Sequence, residues 1–194
     1  MGVSSAGAVQ VRERGGVSGG PAIPNEKPTG PQPGPGIGGR TMRGYAVIAL
    51  DNPRNPLNIG SALRACGCFD AALMVVGGVT RGRMRQPTDT QKQMRHMPLV
   101  CVPDVFDAIP FDCVPVAVDL LAGATPLPEY EHPERAFYVF GAENATLGAR
   151  ILDRCRDRIT VPTIYCMNLA ATVNVVLYDR LAKSEPSPPP RDRG

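Results

Sequence analysis

Short apolar runs alternate with helical or loop-like segments along residues 44–183, and this alternation is the strongest constraint on the fold. The runs are rich in Val, Ile, Phe and Tyr, which is typical of buried strands. We expect strands at Tyr45–Leu50, Ala72–Val76, Leu99–Val102, Val114–Val118, Ala136–Phe140 and Arg158–Val161. Apolar strands separated by helices favour an α/β fold with a parallel sheet covered by helices.

Helical segments are expected between these strands, where apolar residues recur at helical spacing or a capping residue opens a turn. They are Leu57–Phe69, Thr88–Arg95, Asp104–Ile109 with Asp104 as its cap, Leu147–Arg156 and Asn168–Lys183. A proline-rich stretch, Gly123–Pro133, is expected to be a loop.

Proline and glycine separate the chain into three parts. Residues 1–43 and 184–194 are rich in both and have almost no periodic apolar pattern, so we expect a disordered arm and a disordered tail. The folded domain is then residues 44–183, which is long enough to bury a core. The arm carries five basic and two acidic residues, which accounts for the net charge of +3. A basic arm suits nucleic acid, and a solvated linker is the simpler alternative.

Several classes of protein are not indicated. The sequence has no apolar run of membrane-spanning length and no apolar segment typical of a secretory signal, so we expect a cytoplasmic protein. It also lacks a dinucleotide-binding glycine fingerprint after the first strand and a Walker A motif. Six cysteines show no metal-binding spacing and mostly lie in apolar runs, which predicts reduced core residues and no metal site.

Polar residues are concentrated where the first strand gives way to a helix, in Asn55–Arg64. Asn58 and Arg64 are six residues apart, so they lie about 120° apart around a helix and share a face only loosely. An asparagine cap followed by a surface arginine is the simple interpretation. Polar side chains at the carboxyl ends of parallel strands also mark the usual ligand site of such sheets.

Two further segments follow strands in the same way: Phe140–Gly148, which contains Gly141 and Glu143, and Val161–Ala170, which contains Cys166 and Asn168. The three segments in this order resemble motifs 1, 2 and 3 of the TrmH-like (SpoU) ribose methyltransferases of the SPOUT superfamily. The resemblance extends over residues 44–183. It implies an α/β fold with a parallel sheet and a C-terminal deep trefoil knot, S-adenosylmethionine as cofactor, and a homodimer. It also implies methyl transfer to a ribose 2′-hydroxyl of RNA.

The resemblance assigns catalytic roles to four residues. Arg64 matches the motif 1 arginine, which is often considered the base. Because a guanidinium does not readily lose its proton, we prefer a role in holding a phosphate and stabilising the developing alkoxide. Asn58 would orient this group, Glu143 would fix Asn58 or Arg64, and Asn168 would position ribose or phosphate. Glu143 as a helix-start carboxylate and Asn168 as a helix cap are the alternatives.

The same resemblance places Val118, Gly141, Val161 and Cys166 around the adenosylmethionine pocket. Glycine allows a backbone to approach a ligand closely, whereas the two valines equally suit a plain core. Cys166 stands where the family has serine, and a thiol is a weaker hydrogen-bond partner. Pro162 and Cys166 are also closer together than in the common family pattern, which suggests a shorter loop.

RNA contacts are expected in the polar connection between the second and third strands, where basic residues can follow phosphates or simply be solvated. They are Arg81, Arg83, Arg85, Lys92 and Arg95. The short chain resembles the tRNA-modifying members of the family. On the closing helix, Val173, Val176 and Leu177 are spaced either for a dimer face or for burial in the domain's own core.

The leading hypothesis is thus an adenosylmethionine-dependent RNA 2′-O-ribose methyltransferase, with tRNA favoured over rRNA. Two alternatives are an RNA-binding protein that keeps the fold without turnover and a methyltransferase for a protein or small molecule. The presence of Asn58, Arg64, Glu143 and Asn168 speaks against the first, and the basic connection against the second.

Overall fold

The computed structural model describes residues 44–78, 97–142 and 145–184, which belong to one compact unit within Gly36–Gly194. The predicted arm, the predicted tail apart from Ser184 and the predicted helix at Thr88–Arg95 lie outside the described residues.

Seven parallel strands form one sheet in this part of the chain. They are β1 (Tyr45–Leu50), β2 (Leu73–Gly77), β3 (Leu99–Val102), β4 (Val114–Val118), β5 (Thr125–Pro126), β6 (Arg135–Phe140) and β7 (Asp157–Thr160). Their order across the sheet is β3-β2-β1-β6-β4-β7-β5. The predicted parallel α/β sheet is confirmed, and all six predicted strands are present within one residue of their expected ends.

The remaining strand, β5, lies in a segment that the sequence predicts to be a loop. It has only two residues and pairs at the sheet edge with β7, so it is too short to show an alternating apolar pattern.

Three helices and two 3₁₀ turns connect the strands in the described ranges. They are α1 (Pro56–Cys68), a 3₁₀ turn at Val105–Ala108, a 3₁₀ turn at Leu127–Glu129, α2 (Ala149–Leu152) and α3 (Leu169–Lys183). The predicted helix at Leu147–Arg156 is wrong in length, since only four of its residues are helical. Asp104 caps the first 3₁₀ turn as predicted, since its carboxylate accepts a hydrogen bond from the Phe106 N–H.

The core has two layers, one on each face of the sheet, because successive strand residues point to opposite faces. Ile48 and Leu50 of β1 face α1 and α3, together with Tyr138 and Phe140 of β6. The alternate residues face the 3₁₀ turn at Val105–Ala108 and α2. The result is a sheet with helical elements on both sides.

The closing helix α3 packs along α1 in the first layer. Its Val173, Val176 and Leu177 are fully buried within the single chain. The interpretation of these three side chains as a dimer face is therefore wrong, and their helical spacing reflects the domain's own core.

The cysteines are free but are not uniformly core residues. Cys66 and Cys113 are buried, and burial raises the pKa of the Cys66 thiol to about 12. Cys68 and Cys166 are exposed, which corrects the prediction for these two. None of the helices in the described ranges is long and apolar enough to cross a membrane.

Candidate functional site

The three motif-like segments meet at one edge of the sheet. The first follows β1, the second follows β6 and the third follows β7. In the sheet these strands are neighbours in the run β1-β6-β4-β7, and all of them are parallel. Their carboxyl ends consequently share an edge, and segments that are up to 110 residues apart in sequence come together there.

A direct hydrogen bond joins the first segment to the third. The Asn168 Nδ2 donates to Asn58 Oδ1 over 2.8 Å. Asn58 lies in the first turn of α1 and is only 6% exposed, so its amide needs partners inside the protein. This bond fixes the start of α3 against the start of α1.

Asn168 is also the N-cap of α3. Its Oδ1 accepts from the N–H groups of Ala170 (2.9 Å) and Ala171 (3.3 Å). The helix-cap interpretation of this residue is therefore confirmed, and the same amide group binds Asn58 with its nitrogen. Its role toward ribose or phosphate stays a prediction. The Asn168 Nδ2 carries a second hydrogen, for which the described part of the chain shows no acceptor.

Helix α1 starts with local signals that the sequence already contains. The Asn55 Oδ1 accepts from the Leu57 N–H at 2.9 Å, and Pro56 occupies the first helical turn. This start places Asn58 in the interior, whereas Arg64, six residues later, is exposed. The two side chains point to different environments, as their spacing predicts.

A cavity of about 380 Å³ opens beside this junction. It lies between the segments that follow β4, β6 and β7. All four residues that the resemblance assigns to the cofactor, namely Val118, Gly141, Val161 and Cys166, line it. Its walls combine apolar groups with hydroxyl groups and a carboxylate, which is the usual composition of a small-molecule site.

Gly141 has little room for a side chain. A Cβ atom there would lie 3.2 Å from Leu147 Cδ2 and 3.3 Å from the Ala145 carbonyl oxygen. The absence of a side chain thus lets Leu147 and the Ala145 carbonyl group pack closely against the Gly141 backbone.

Asp119 is a lining residue that sequence reasoning missed. Its Oδ2 accepts from the Leu147 N–H at 2.6 Å, and its Oδ1 accepts from the Leu120 N–H at 2.7 Å. The carboxylate therefore ties the segment after β6 to the end of β4. The signal was available, since Asp119 directly follows the apolar run of a predicted strand, as the recognised polar segments do.

The third segment exposes two large apolar side chains between the cavity-lining residues Thr163 and Cys166. Ile164 is 91% exposed and Tyr165 is 83% exposed. The Thr163 Oγ1 donates to the Tyr165 carbonyl at 2.9 Å, which orders this loop. Cys166 is exposed and also lines the cavity.

Ion pairs hold α2 in place next to the cavity wall. Arg150 of α2 contacts Asp51 at the end of β1 (2.7 Å) and Asp104 (2.9 Å), and Arg154 also contacts Asp104 (2.9 Å). The Phe106 N–H and these arginines hold the pKa of the Asp104 carboxyl below its usual value. The first and second segments are thus linked through their flanking residues.

The remaining predicted site residues cannot be located in this geometry. Glu143 lies outside the described residues, as do the five basic residues of the connection after β2, which are Arg81, Arg83, Arg85, Lys92 and Arg95.

The SpoU rRNA Methylase family model matches residues 45–178, which include all three segments and every strand of the sheet. The chain belongs to this family. The resemblance inferred from the motifs is therefore confirmed. Among curated proteins, none matches the chain.

Solved SpoU methylases share the fold. AviRb of Streptomyces viridochromogenes, solved with AdoMet, superposes with a TM-score of 0.63 at 20% identity, and the match covers 72% of this chain and 60% of AviRb. The A. aeolicus TrmH/SpoU tRNA modifying enzyme gives a TM-score of 0.64 at 16% identity, covering 74% of this chain and 76% of that enzyme.

A third structure concerns the 2-OH methylation of C/U34 on tRNA. It has a TM-score of 0.62 at 20% identity, and the match covers 72% of this chain and 90% of that one. The chain spans about three fifths of the length of AviRb, so AviRb contains further segments. At these identities, the comparison establishes the shared α/β fold.

Proposed function

We propose that this SpoU methylase is an S-adenosylmethionine-dependent RNA 2′-O-ribose methyltransferase that acts on tRNA. The observation that carries the proposal is the junction of motif segments. Asn58 of the first segment is hydrogen-bonded to Asn168 of the third, beside a cavity lined by all four residues assigned to the cofactor.

The cavity fits adenosylmethionine in size and chemistry. Its volume of about 380 Å³ falls in the usual range for small-molecule sites. Val118, Phe140 and Val161 offer apolar contact for an adenine ring, and Asp119 and Thr146 offer acceptors for hydroxyl or amino groups. When bound, adenosylmethionine supplies an electrophilic methyl group on a positively charged sulfur.

Arg64 is the residue we assign to the RNA. It is exposed on α1, so its guanidinium is accessible to a nucleotide. A guanidinium holds phosphate oxygens with two parallel hydrogen bonds and stabilises negative charge that develops on a nearby oxygen. Arg64 would thus hold the target nucleotide and stabilise its 2′-oxygen as the proton leaves.

Asn58 and Asn168 act as positioning residues in this proposal. Their mutual hydrogen bond and the cap of α3 fix the orientation of both amides. The second Nδ2 hydrogen of Asn168 would then donate to ribose or phosphate. Glu143 remains a candidate for fixing Asn58 or Arg64.

Cys166 keeps the place of the family serine at the cavity wall. Since a thiol is a weak hydrogen-bond donor, we assign Cys166 to van der Waals contact with the cofactor and the hydrogen bonds at this position to backbone groups.

The choice of tRNA is supported by the match that covers 90% of a chain solved in a study of tRNA methylation. In addition, the connection that contains Arg81, Arg83, Arg85, Lys92 and Arg95 would bind phosphates. We also propose a cytoplasmic location.

We further propose the family's knotted topology and a homodimer for the domain at residues 44–183. The dimer is supported by apolar side chains that the single chain leaves exposed on the paired helices, since Leu57 of α1 is 47% exposed and Tyr178 of α3 is 61% exposed.

Nucleoside mass spectrometry tests the proposal. The protein is incubated with adenosylmethionine and, in separate reactions, with unmodified total tRNA and rRNA, after which the RNA is digested. We expect a new 2′-O-methylated nucleoside in the tRNA pool. A new nucleoside only in rRNA would show that the assignment of tRNA as the substrate is wrong. Methyl label on protein but not on RNA would show that the assignment of RNA methyltransferase activity is wrong.

A further inference from the structure

The cavity carries a single charge among its described lining residues. Asp119 is acidic, whereas the other lining residues are apolar, hydroxyl-bearing, thiol-bearing or glycine. Neither lysine nor arginine offsets the Asp119 carboxylate within this part of the lining. The described wall of the cavity therefore has a net negative charge.

The Asp119 side chain is held in a fixed position. Each of its oxygens accepts one backbone N–H, from Leu147 (2.6 Å) and from Leu120 (2.7 Å). Each carboxylate oxygen can accept more than one hydrogen bond, so the group remains able to interact with a ligand. The negative charge therefore has a fixed position in the cavity. Little side-chain conformational entropy is lost when a ligand binds to it.

A fixed carboxylate in a partly enclosed cavity distinguishes ligands by charge. Adenosylmethionine carries a positive sulfonium, whereas its product adenosylhomocysteine carries a neutral thioether and is otherwise nearly the same molecule. Attraction between opposite charges is stronger in such a site than in water because the effective dielectric constant is lower.

We propose that Asp119 is the residue through which the cavity favours positively charged adenosylmethionine over its neutral product, adenosylhomocysteine. This inference rests on the proposed function. Asp119 would thus determine specificity and promote product release, since the loss of the ligand's positive charge on methyl transfer removes the attraction.

Isothermal titration calorimetry with the full chain and the two ligands tests the inference. We expect the wild type to bind adenosylmethionine roughly fivefold or more tightly than adenosylhomocysteine. Asp119→Asn should bring the ratio of the two dissociation constants close to one by weakening adenosylmethionine binding. Asp119→Glu should preserve the preference. Asp153→Asn, which removes an exposed carboxylate outside the cavity lining, is the matched control and should leave the ratio unchanged.

The outcomes separate this inference from the proposed function. If neither ligand binds the wild type, the proposed function fails. If both bind but the wild type does not prefer the charged ligand, or if Asp119→Asn weakens both equally, the inference is overturned and the cofactor assignment stands. If Asp119→Asn does not fold, the wild type is titrated with an analogue of adenosylmethionine that has an amine in place of the methylated sulfur. This titration tests the charge preference without a variant. The analogue must bind more tightly than adenosylhomocysteine, and equal binding refutes the inference.

Discussion

The amide of Asn168 connects helix capping to the geometry of the site. Its oxygen holds the first turn of α3 and its nitrogen holds Asn58, which is buried at the start of α1. Another capping residue at this position would keep the helix cap but lose the hydrogen bond to Asn58. Substitutions at this position can therefore distinguish the capping of α3 from the contribution of the Asn58 hydrogen bond to activity.

Replacement of Asn168 by serine and by alanine should separate the two roles. Asn168→Ser keeps a capping oxygen, so it should be more stable than Asn168→Ala by about 1 kcal/mol in the free energy of unfolding. Both variants remove the donor to Asn58 and should lose most methyl transfer. Chemical denaturation and a radiolabel assay measure the two effects. Full activity in Asn168→Ser would show that capping alone is required.

Arg64→Ala should abolish methyl transfer while the affinity for adenosylmethionine stays within a few-fold of the wild type. The reason is that Arg64 is exposed on α1 and does not line the cavity. Calorimetry measures the affinity for adenosylmethionine, and single-turnover assays measure methyl transfer. The control is Arg158→Ala, which removes another exposed arginine whose guanidinium donates to the Leu152 carbonyl at 3.3 Å. If Arg64→Ala loses adenosylmethionine binding, its assignment to the RNA is wrong.

At the scale of elements, α2 depends on partners from other parts of the chain. It has four residues, and Arg150 joins it to Asp51 and Asp104. Because the Arg150 side chain is 53% exposed, Arg150→Ala should lower the free energy of unfolding by less than about 1 kcal/mol, and high salt should reduce the effect. Denaturant titrations at low and high salt measure this. Arg64→Ala, which alters an exposed arginine on α1, should show no such salt dependence.

The length of α2 could not be predicted from the local sequence pattern. The pattern of Leu147–Arg156 predicts a longer helix, but the Leu147 N–H is bonded to Asp119, which is 28 residues away in sequence. A hydrogen bond between residues so far apart in sequence produces no periodic pattern of apolar residues. Strands β1 and β3 were predictable to the residue, because each is a continuous apolar run bounded by glycine, proline or aspartate.

The candidate site was predictable for a different reason. Its residues lie in segments that follow strands, and the carboxyl ends of the strands in a parallel sheet share an edge, so Asn58, Gly141 and Asn168 could be grouped before the strand order was known. The burial of Val173 against its own core could not be predicted, because helical spacing is the same for a core face and for a dimer face.

At the scale of the whole molecule, a buried polar cluster joins α3 to β6 and to the segment before it. His132 contacts the Tyr138 hydroxyl through Nδ1 (2.6 Å) and Asp179 Oδ2 through Nε2 (2.8 Å). Arg180 donates to the same Tyr138 oxygen (3.1 Å). Arginine only donates, so the Tyr138 O–H is free to donate to His132 Nδ1, and Nε2–H donates to Asp179. The cluster in this arrangement requires a neutral histidine.

Stability should therefore fall as the pH drops through the range in which His132 titrates. Burial lowers the pKa of His132 from its ordinary value of 6.5, and this effect outweighs the opposing one of Asp179. Below pH 6.5 the unfolded chain gains a proton that the folded chain resists, so the free energy of unfolding decreases until the lower folded pKa is passed.

His132→Gln removes this titration and should flatten the pH dependence of the unfolding free energy between about pH 7 and 5. The variant should be less stable than the wild type at neutral pH, and the difference should shrink as the pH falls. The pKa values of Asp104 and Asp157 are lowered from 3.8, so the stability that these carboxylates contribute is lost below about pH 5, outside this range. Urea titrations at a series of pH values provide the measurement. An equal slope in the wild type and in His132→Gln would show that another group controls the acid sensitivity of the fold.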